Sequence, residues 1–90
     1  MKLTDQEFKL FYDICEHWRF VNRNAPDKGS IHKNLLFATK QLENGKPLDA
    51  TSMEEVDKAI VDYAQNCSDP VVCASVISLF EKISTGFESA

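Results

Sequence analysis

The chain opens with a complete helix start signal, the run Leu3-Thr4-Asp5-Gln6-Glu7-Phe8. Thr4 can act as an N-cap that accepts from free backbone N–H groups, and Glu7, three residues later, can reach back to the backbone of Thr4. Leu3 and Phe8 have the spacing of the hydrophobic contact that fixes how a chain enters a helix. Comparable start and stop signals recur along the sequence, which therefore predicts a small protein built from helices.

The first two predicted helices are bounded by proline, serine and glycine. One over about 4–23 ends where Pro26 disfavours the helical conformation of the preceding residue. The next, over about 30–43, begins with Ser30 as its N-cap and stops at Asn44-Gly45, because glycine accepts the left-handed conformation of a helix end. Apolar residues cover more than half the circumference of the first helix, which predicts a central position for it.

The last two predicted helices carry similar signals. A third, over about 52–66, begins with Ser52 and Glu55 as a second capping box. A fourth, over about 69–85, has Asp69 as its cap and a proline at the first helical position, where the missing N–H costs nothing. Gly86, with Phe87 folding back, is expected to close this helix.

These helices are expected to form one domain over residues 1–90, an all-α, compact four-helix bundle with antiparallel neighbours. A chain of this length can bury a single core without metal or disulfide staples. The predicted inward-facing residues recur at the 3.6-residue period. They are Phe8, Phe11, Tyr12, Cys15 and Trp18; Ile31, Leu35, Ala38 and Leu42; Met53, Val56, Ile60, Tyr63 and Cys67; and Val72, Val76, Leu79, Phe80 and Ile83.

Charge is distributed unevenly along the chain, whose net charge is −4. Residues 19–46 carry six basic and two acidic side chains, whereas residues 47–90 carry two basic and eight acidic side chains. Such polarity influences partner choice and encounter rate rather than the fold. The sequence turns polar immediately after Met1 and has no apolar stretch long enough for a bilayer, so a cytoplasmic protein without membrane association is expected.

No pattern in the sequence supplies a reactive centre. Cys15, Cys67 and Cys73 lie on or beside apolar faces and are expected to be packed, reduced thiols; whether Cys67 and Cys73 form a disulfide stays open, because spacing does not establish its geometry. His17 and His32 lack the converging ligands of a metal site. Only three glycines are present, and no glycine-rich loop or nucleophile elbow occurs. The sequence therefore predicts no enzyme activity, no metal and no cofactor.

The favoured interpretation is a small acidic binding protein that inhibits or neutralises a protein partner. The third helix concentrates carboxylates, which suit a partner with a basic surface, such as a toxin or nuclease. Phe20 and Phe37 leave the apolar stripes and sit among charged residues, as interface residues do. The most specific form of this prediction is an immunity, antitoxin or phage-inhibitor protein whose acidic third helix covers the basic site of its partner. The predicted partner-binding residues are Glu54, Glu55, Asp57, Asp62, Tyr63, Phe20 and Phe37.

The alternative is a self-associating helical protein, a homo-oligomer, that binds a nucleotide or other anionic ligand through the basic segment 19–46. The start of the second helix offers free N–H groups that favour anions. Nucleic acid itself is disfavoured as a partner, because the acidic third helix would be repelled by phosphates. The predicted anion-binding residues are Arg19, Arg23, Lys28, Lys33 and Lys40.

Overall fold

A computed structural model describes residues 3–85 and contains four α-helices over that range, so the predicted all-α four-helix bundle is confirmed. They are α1 (Asp5–Val21), α2 (Lys28–Glu43), α3 (Ala50–Gln65) and α4 (Pro70–Thr85). Helices α1 and α3 each contact all three other helices, whereas α2 and α4 do not contact each other within this range. Helix α1 is therefore central, as predicted, and shares that position with α3.

The start of α1 has the predicted capping box. The Thr4 hydroxyl accepts from the Glu7 N–H at 3.1 Å, and the Glu7 carboxylate accepts from the Thr4 N–H at 2.7 Å. Leu3 is buried and belongs to the core. The end of α2 also follows the prediction, since Gly45 has φ 67° and the Lys46 N–H donates to the Gln41 carbonyl at 2.9 Å, as in a Schellman motif.

The predicted starts of α2 and α3 are wrong by two residues. Helix α2 begins at Lys28, so Ser30 lies inside its first turn and Asp27 occupies the cap position without a side-chain hydrogen bond. Helix α3 begins at Ala50, because Asp49 is its N-cap and accepts from the Ser52 N–H at 2.7 Å. Asp49 and Ser52 are both capping residues three positions apart, and the upstream one caps the helix.

The start of α4 agrees with the sequence. Pro70 is its first residue, and the Asp69 carboxylate accepts from the Val71 N–H at 2.9 Å. Gly86 and Phe87, the predicted end signal, lie outside the described residues. None of the helices described here is both long and apolar enough to cross a membrane.

The core contains most of the predicted inward-facing residues. All four members of the α2 stripe are buried, from Ile31 to Leu42. On α1 the buried face is narrower than predicted, because Tyr12, a member of the predicted inward-facing set, is 43% exposed. The fully or nearly fully buried apolar residues are Leu3, Phe11, Ile14, Cys15, Ile31, Leu35, Ala38, Leu42, Val56, Ala59, Ile60, Val76, Leu79 and Ile83.

Candidate functional site

An open groove runs along the exposed side of α3 and reaches the end of α1. Its volume is about 470 Å³. We call it the acidic groove; its lining residues are Trp18, Glu54, Asp57, Lys58, Val61, Asp62 and Gln65. Three of the predicted partner-binding carboxylates therefore lie together. Trp18 and Val61 were not predicted to be here; Val61 lies outside the inward stripe of its helix, and that was the signal that could have identified it.

The fourth predicted carboxylate, Glu55, is half-buried and lies at the contacts of α3 with its two neighbours α1 and α2. One of its oxygens accepts from the Trp18 indole N–H at 2.8 Å, and the other accepts from the Asn34 amide at 3.3 Å. Glu55 therefore connects α3 to both α1 and α2. It is not part of the groove lining, and the capping box that the sequence predicted for it with Ser52 does not form.

Asp62 and Tyr63 are also held by the fold. His17 Nε2 lies 3.0 Å from Asp62 Oδ2, so His17 is a half-buried bridge between α1 and α3 rather than an ordinary surface histidine. The Tyr63 ring packs edge-on against His17, with centroids 5.6 Å apart. Burial raises the pKa of Tyr63, and the nearby Asp13 and Cys67 add to the shift, so its phenol stays neutral.

Phe20 and Phe37 do not join the groove. Phe20 is 63% exposed and Phe37 is 49% exposed. The guanidinium of Arg23 instead packs over the ring of Phe20, and its central carbon lies 4.3 Å from the ring centroid. The sequence correctly places both rings at the surface, but the structure does not bring them to the predicted acidic contact residues.

A second depression is lined by several basic side chains. It has a volume of about 340 Å³ and lies between the end of α1 and the first turn of α2. We call it the basic cavity; its lining residues are Arg19, Asn22, Arg23, Lys28, Gly29, Ile31 and His32. Three of the five predicted anion-binding residues therefore line one cavity. Lys33 and Lys40 are exposed on α2 and are not part of its lining.

His32 is a member of the basic cavity that the sequence did not identify. It lies in the second turn of α2, one residue after the buried Ile31. Its position near Lys28, four residues earlier on the same helix face, was the available signal. It was unconvincing from sequence alone, because an isolated histidine next to one lysine is common on helix surfaces.

The three cysteines are free thiols. Burial raises the pKa of Cys15 to about 11, against smaller opposite effects of Arg19 and Thr39, so this thiol is protonated and unreactive. Cys67 and Cys73 are half-buried at the turn between α3 and α4, where the Cys73 thiol donates to the Cys67 carbonyl at 3.5 Å. Hydrogen bonding to Cys67, together with burial, raises the pKa of Cys73.

Within residues 3–85, no three His, Cys, Asp or Glu side chains converge as a metal site requires. The acidic groove and the basic cavity are the depressions that contain the residues predicted to bind a partner or an anion. No protein-family model matches the chain, and no curated protein or solved structure matches it either.

Proposed function

We propose that this protein is a binding module that docks onto a basic partner protein through the acidic groove. The observation that carries the proposal is the presence of exposed apolar surface and a carboxylate rim in one groove. Val61 is apolar and lies within α3, away from its ends, yet its side chain is 51% exposed. An apolar centre with a polar, charged rim is the composition of protein-binding surfaces, and tryptophan is a frequent anchor there.

The groove is ordered before any partner arrives. The indole N–H of Trp18 is bonded to Glu55, so the ring offers apolar area to a partner without an unsatisfied donor. Asp62 is held by His17 across the α1–α3 contact. Because these side chains are already fixed, docking loses less conformational entropy than it would on a mobile surface.

The charge of α3 favours a basic partner. The helix carries four carboxylates and one lysine, in a chain whose net charge is −4. Such a field speeds the encounter with a positively charged surface and slows the encounter with an acidic one. If the basic surface of the partner is the active site of a toxin or nuclease, docking blocks it, and this protein acts as an immunity, antitoxin or phage-inhibitor protein.

The test reverses two exposed charges of the groove, in the variant Glu54→Lys/Asp57→Lys. Neither side chain bonds to another helix, since the only partner of Glu54 among residues 3–85 is Lys58 on the same helix, at 3.8 Å. Glu55 and Asp62 are left unchanged because both hold helices together. The matched control is Asp5→Lys/Glu43→Lys, which changes the net charge equally at a different groove.

The wild-type protein and both variants are used as baits in extracts of the native host, and proteins retained by the wild type are identified by mass spectrometry. The partner is then purified, and its association with this protein is followed by the fluorescence of Trp18, the only tryptophan of the chain. We expect the groove variant to lower the on-rate by about tenfold and to weaken its dependence on salt. The control should change both quantities much less.

Equal on-rates for the groove variant and the control would exclude the acidic groove as the docking surface. A retained partner with an acidic surface would also contradict the proposal, because the predicted attraction would then be a repulsion. Inhibition is tested separately, by measuring the activity of the purified partner with and without this protein.

A further inference from the structure

We propose that the basic cavity binds the phosphate group of a small phosphorylated molecule, independently of the partner at the acidic groove. Four cationic or ionisable side chains line one depression of about 340 Å³: Arg19, Arg23, Lys28 and His32. None of them is among the ion pairs found within residues 3–85. Among the described residues, the lining of this depression includes no carboxylate.

The backbone of α2 adds donors to the same cavity. The side chain of its cap residue, Asp27, makes no capping hydrogen bond, so the N–H groups of Gly29 and Ser30 have no side-chain capping acceptor among the described residues. Apart from the neighbours of Gly29 in the chain and the adjacent backbone of α2, no protein atom lies within 4 Å of a methyl group built on Gly29, so there is open space beside this turn. Free N–H groups and the helix dipole at this end both favour an anion.

The two arginines are suited to complete such a site. Arg19 lines the cavity and forms no ion pair in the described part of the chain, so its charge is available to an anion. Arg23 is held in place by its stacking on Phe20 and by a 2.8 Å hydrogen bond from Nη1 to the Phe20 carbonyl. An arginine whose position is fixed before binding loses little entropy when it donates to an oxyanion.

The cavity fits a phosphate monoester better than a nucleic acid. Its volume is at the lower end of the range of small-molecule sites, which leaves room for a phosphate and a modest organic group. A phosphate supplies two negative charges and three acceptor oxygens to several donors at once. A nucleic-acid strand needs cations along an extended track, whereas Lys33 and Lys40 lie outside the cavity and the chain as a whole is negative.

The experiment uses isothermal titration calorimetry at constant ionic strength, with inorganic phosphate, adenosine monophosphate, adenosine and a short single-stranded DNA as probes. The variant Arg23→Ala/Lys28→Ala removes two cavity charges. The matched control, Lys33→Ala/Lys40→Ala, removes two charges from exposed positions of α2 outside the cavity. Circular dichroism melting of each variant confirms that it is folded before titration.

We expect phosphate and adenosine monophosphate to bind with one site per chain, with dissociation constants of about 1 mM or lower, and adenosine not to bind. The cavity variant should weaken binding about tenfold or more, because each lost cation removes a charge-assisted contact. The control should change affinity less than about twofold, since its charges lie outside the cavity and are screened.

Three results would overturn the proposal. One is the absence of binding by both phosphate probes at about 10 mM, a concentration at which even weak specific sites fill. Another is equal weakening in the two double variants, which would indicate a general effect of net charge. The third is binding of the DNA alone, which would identify a nucleic-acid surface instead of a small-molecule cavity.

Discussion

The acidic groove and the basic cavity meet at the end of α1, where Trp18 lines one and its neighbour Arg19 lines the other. The charged side chains of the two sites differ in whether they bond to other helices. On the acidic side, Glu55 and Asp62 bond to side chains of other helices. On the basic side, Arg19 and Arg23 form no ion pair with a carboxylate anywhere in residues 3–85.

The difference shows that the charge of a segment does not indicate which of its residues are available to a partner. A carboxylate that accepts from two other helices contributes to stability and has fewer lone pairs left for a ligand. A cluster of cations without a carboxylate partner contributes repulsion, which a bound anion relieves. We therefore expect the acidic region to include stability determinants and the basic region to include none of comparable size.

The largest effect is expected at Glu55. Glu55→Ala removes the acceptor of the Trp18 indole and of the Asn34 amide, and we expect it to lower the free energy of unfolding by about 1–2 kcal/mol. Urea denaturation followed by circular dichroism measures this change. The adjacent Glu54→Ala is the matched control, and it should change stability by less than about 0.5 kcal/mol because its side chain is exposed.

Similar changes in stability for Glu55→Ala and Glu54→Ala would contradict this prediction, since Glu55 would then contribute no more than a surface carboxylate. The variant Glu55→Gln separates the contribution of the charge from that of the side-chain shape. This variant keeps one acceptor oxygen but loses the charge, so a stability between those of the wild type and Glu55→Ala would show that both the shape and the charge of the carboxylate matter.

A smaller effect, which depends on pH, is expected at Glu7, which bonds to Lys82 of α4 at 2.7 Å. Burial alone would raise the pKa of Glu7, but Lys82 and the bonds with Thr4 outweigh it and hold the pKa below the ordinary value of 4.5. A lowered pKa means that the folded state favours the charged form. Stability from this group is therefore present above about pH 4.5 and is lost as the pH falls through the lowered value.

Glu7→Gln isolates this contribution because the glutamine oxygen can still accept from Thr4. The wild type should be more stable than the variant by about 0.5–1 kcal/mol above pH 5, and the difference should shrink at lower pH. Thermal unfolding across the acidic range measures it. A difference that stays constant down to pH 3 would show that the charge of Glu7 does not contribute.

The smallest changes in stability are expected for two lysines of α2, Lys28 and Lys40. Lys28 is the first residue of α2, where the helix dipole disfavours a cation, and Lys40 lies in its last turn, where a cation is favoured. Lys28→Ala should raise the free energy of unfolding by about 0.3–0.5 kcal/mol, and Lys40→Ala should lower it by a similar amount. Equal changes of the same sign would show that neither the dipole nor the crowding of cations at the basic cavity affects stability.

Local signals in the sequence predicted a large part of this fold. The Thr4–Glu7 capping box, the glycine stop at Gly45 and the proline start at Pro70 depend on groups a few residues apart, so spacing was enough to identify them. The same spacing was insufficient where two capping residues competed. Asp49 and Ser52 both fit the start of α3, and the choice between them depends on how the preceding loop enters the bundle.

The candidate site was predictable only in part, for a related reason. The sequence placed acidic residues on α3 and basic residues around the α1–α2 connection, since composition alone shows this. It could not show that Glu55 faces inward while Glu54 faces outward toward the groove. Adjacent helix positions differ by 100° in direction, and which direction is interior depends on the neighbouring helices.

The helices, most of their boundaries and the separation of acidic and basic charge can be read from the sequence, because they follow from short-range hydrogen bonding and from composition. The packing of the helices selects which charges bond to another helix, as Glu55 does with Trp18, and which have no partner among the described residues, as at Arg19. That division depends on distances between residues that are far apart in the chain, and helix packing alone sets those distances.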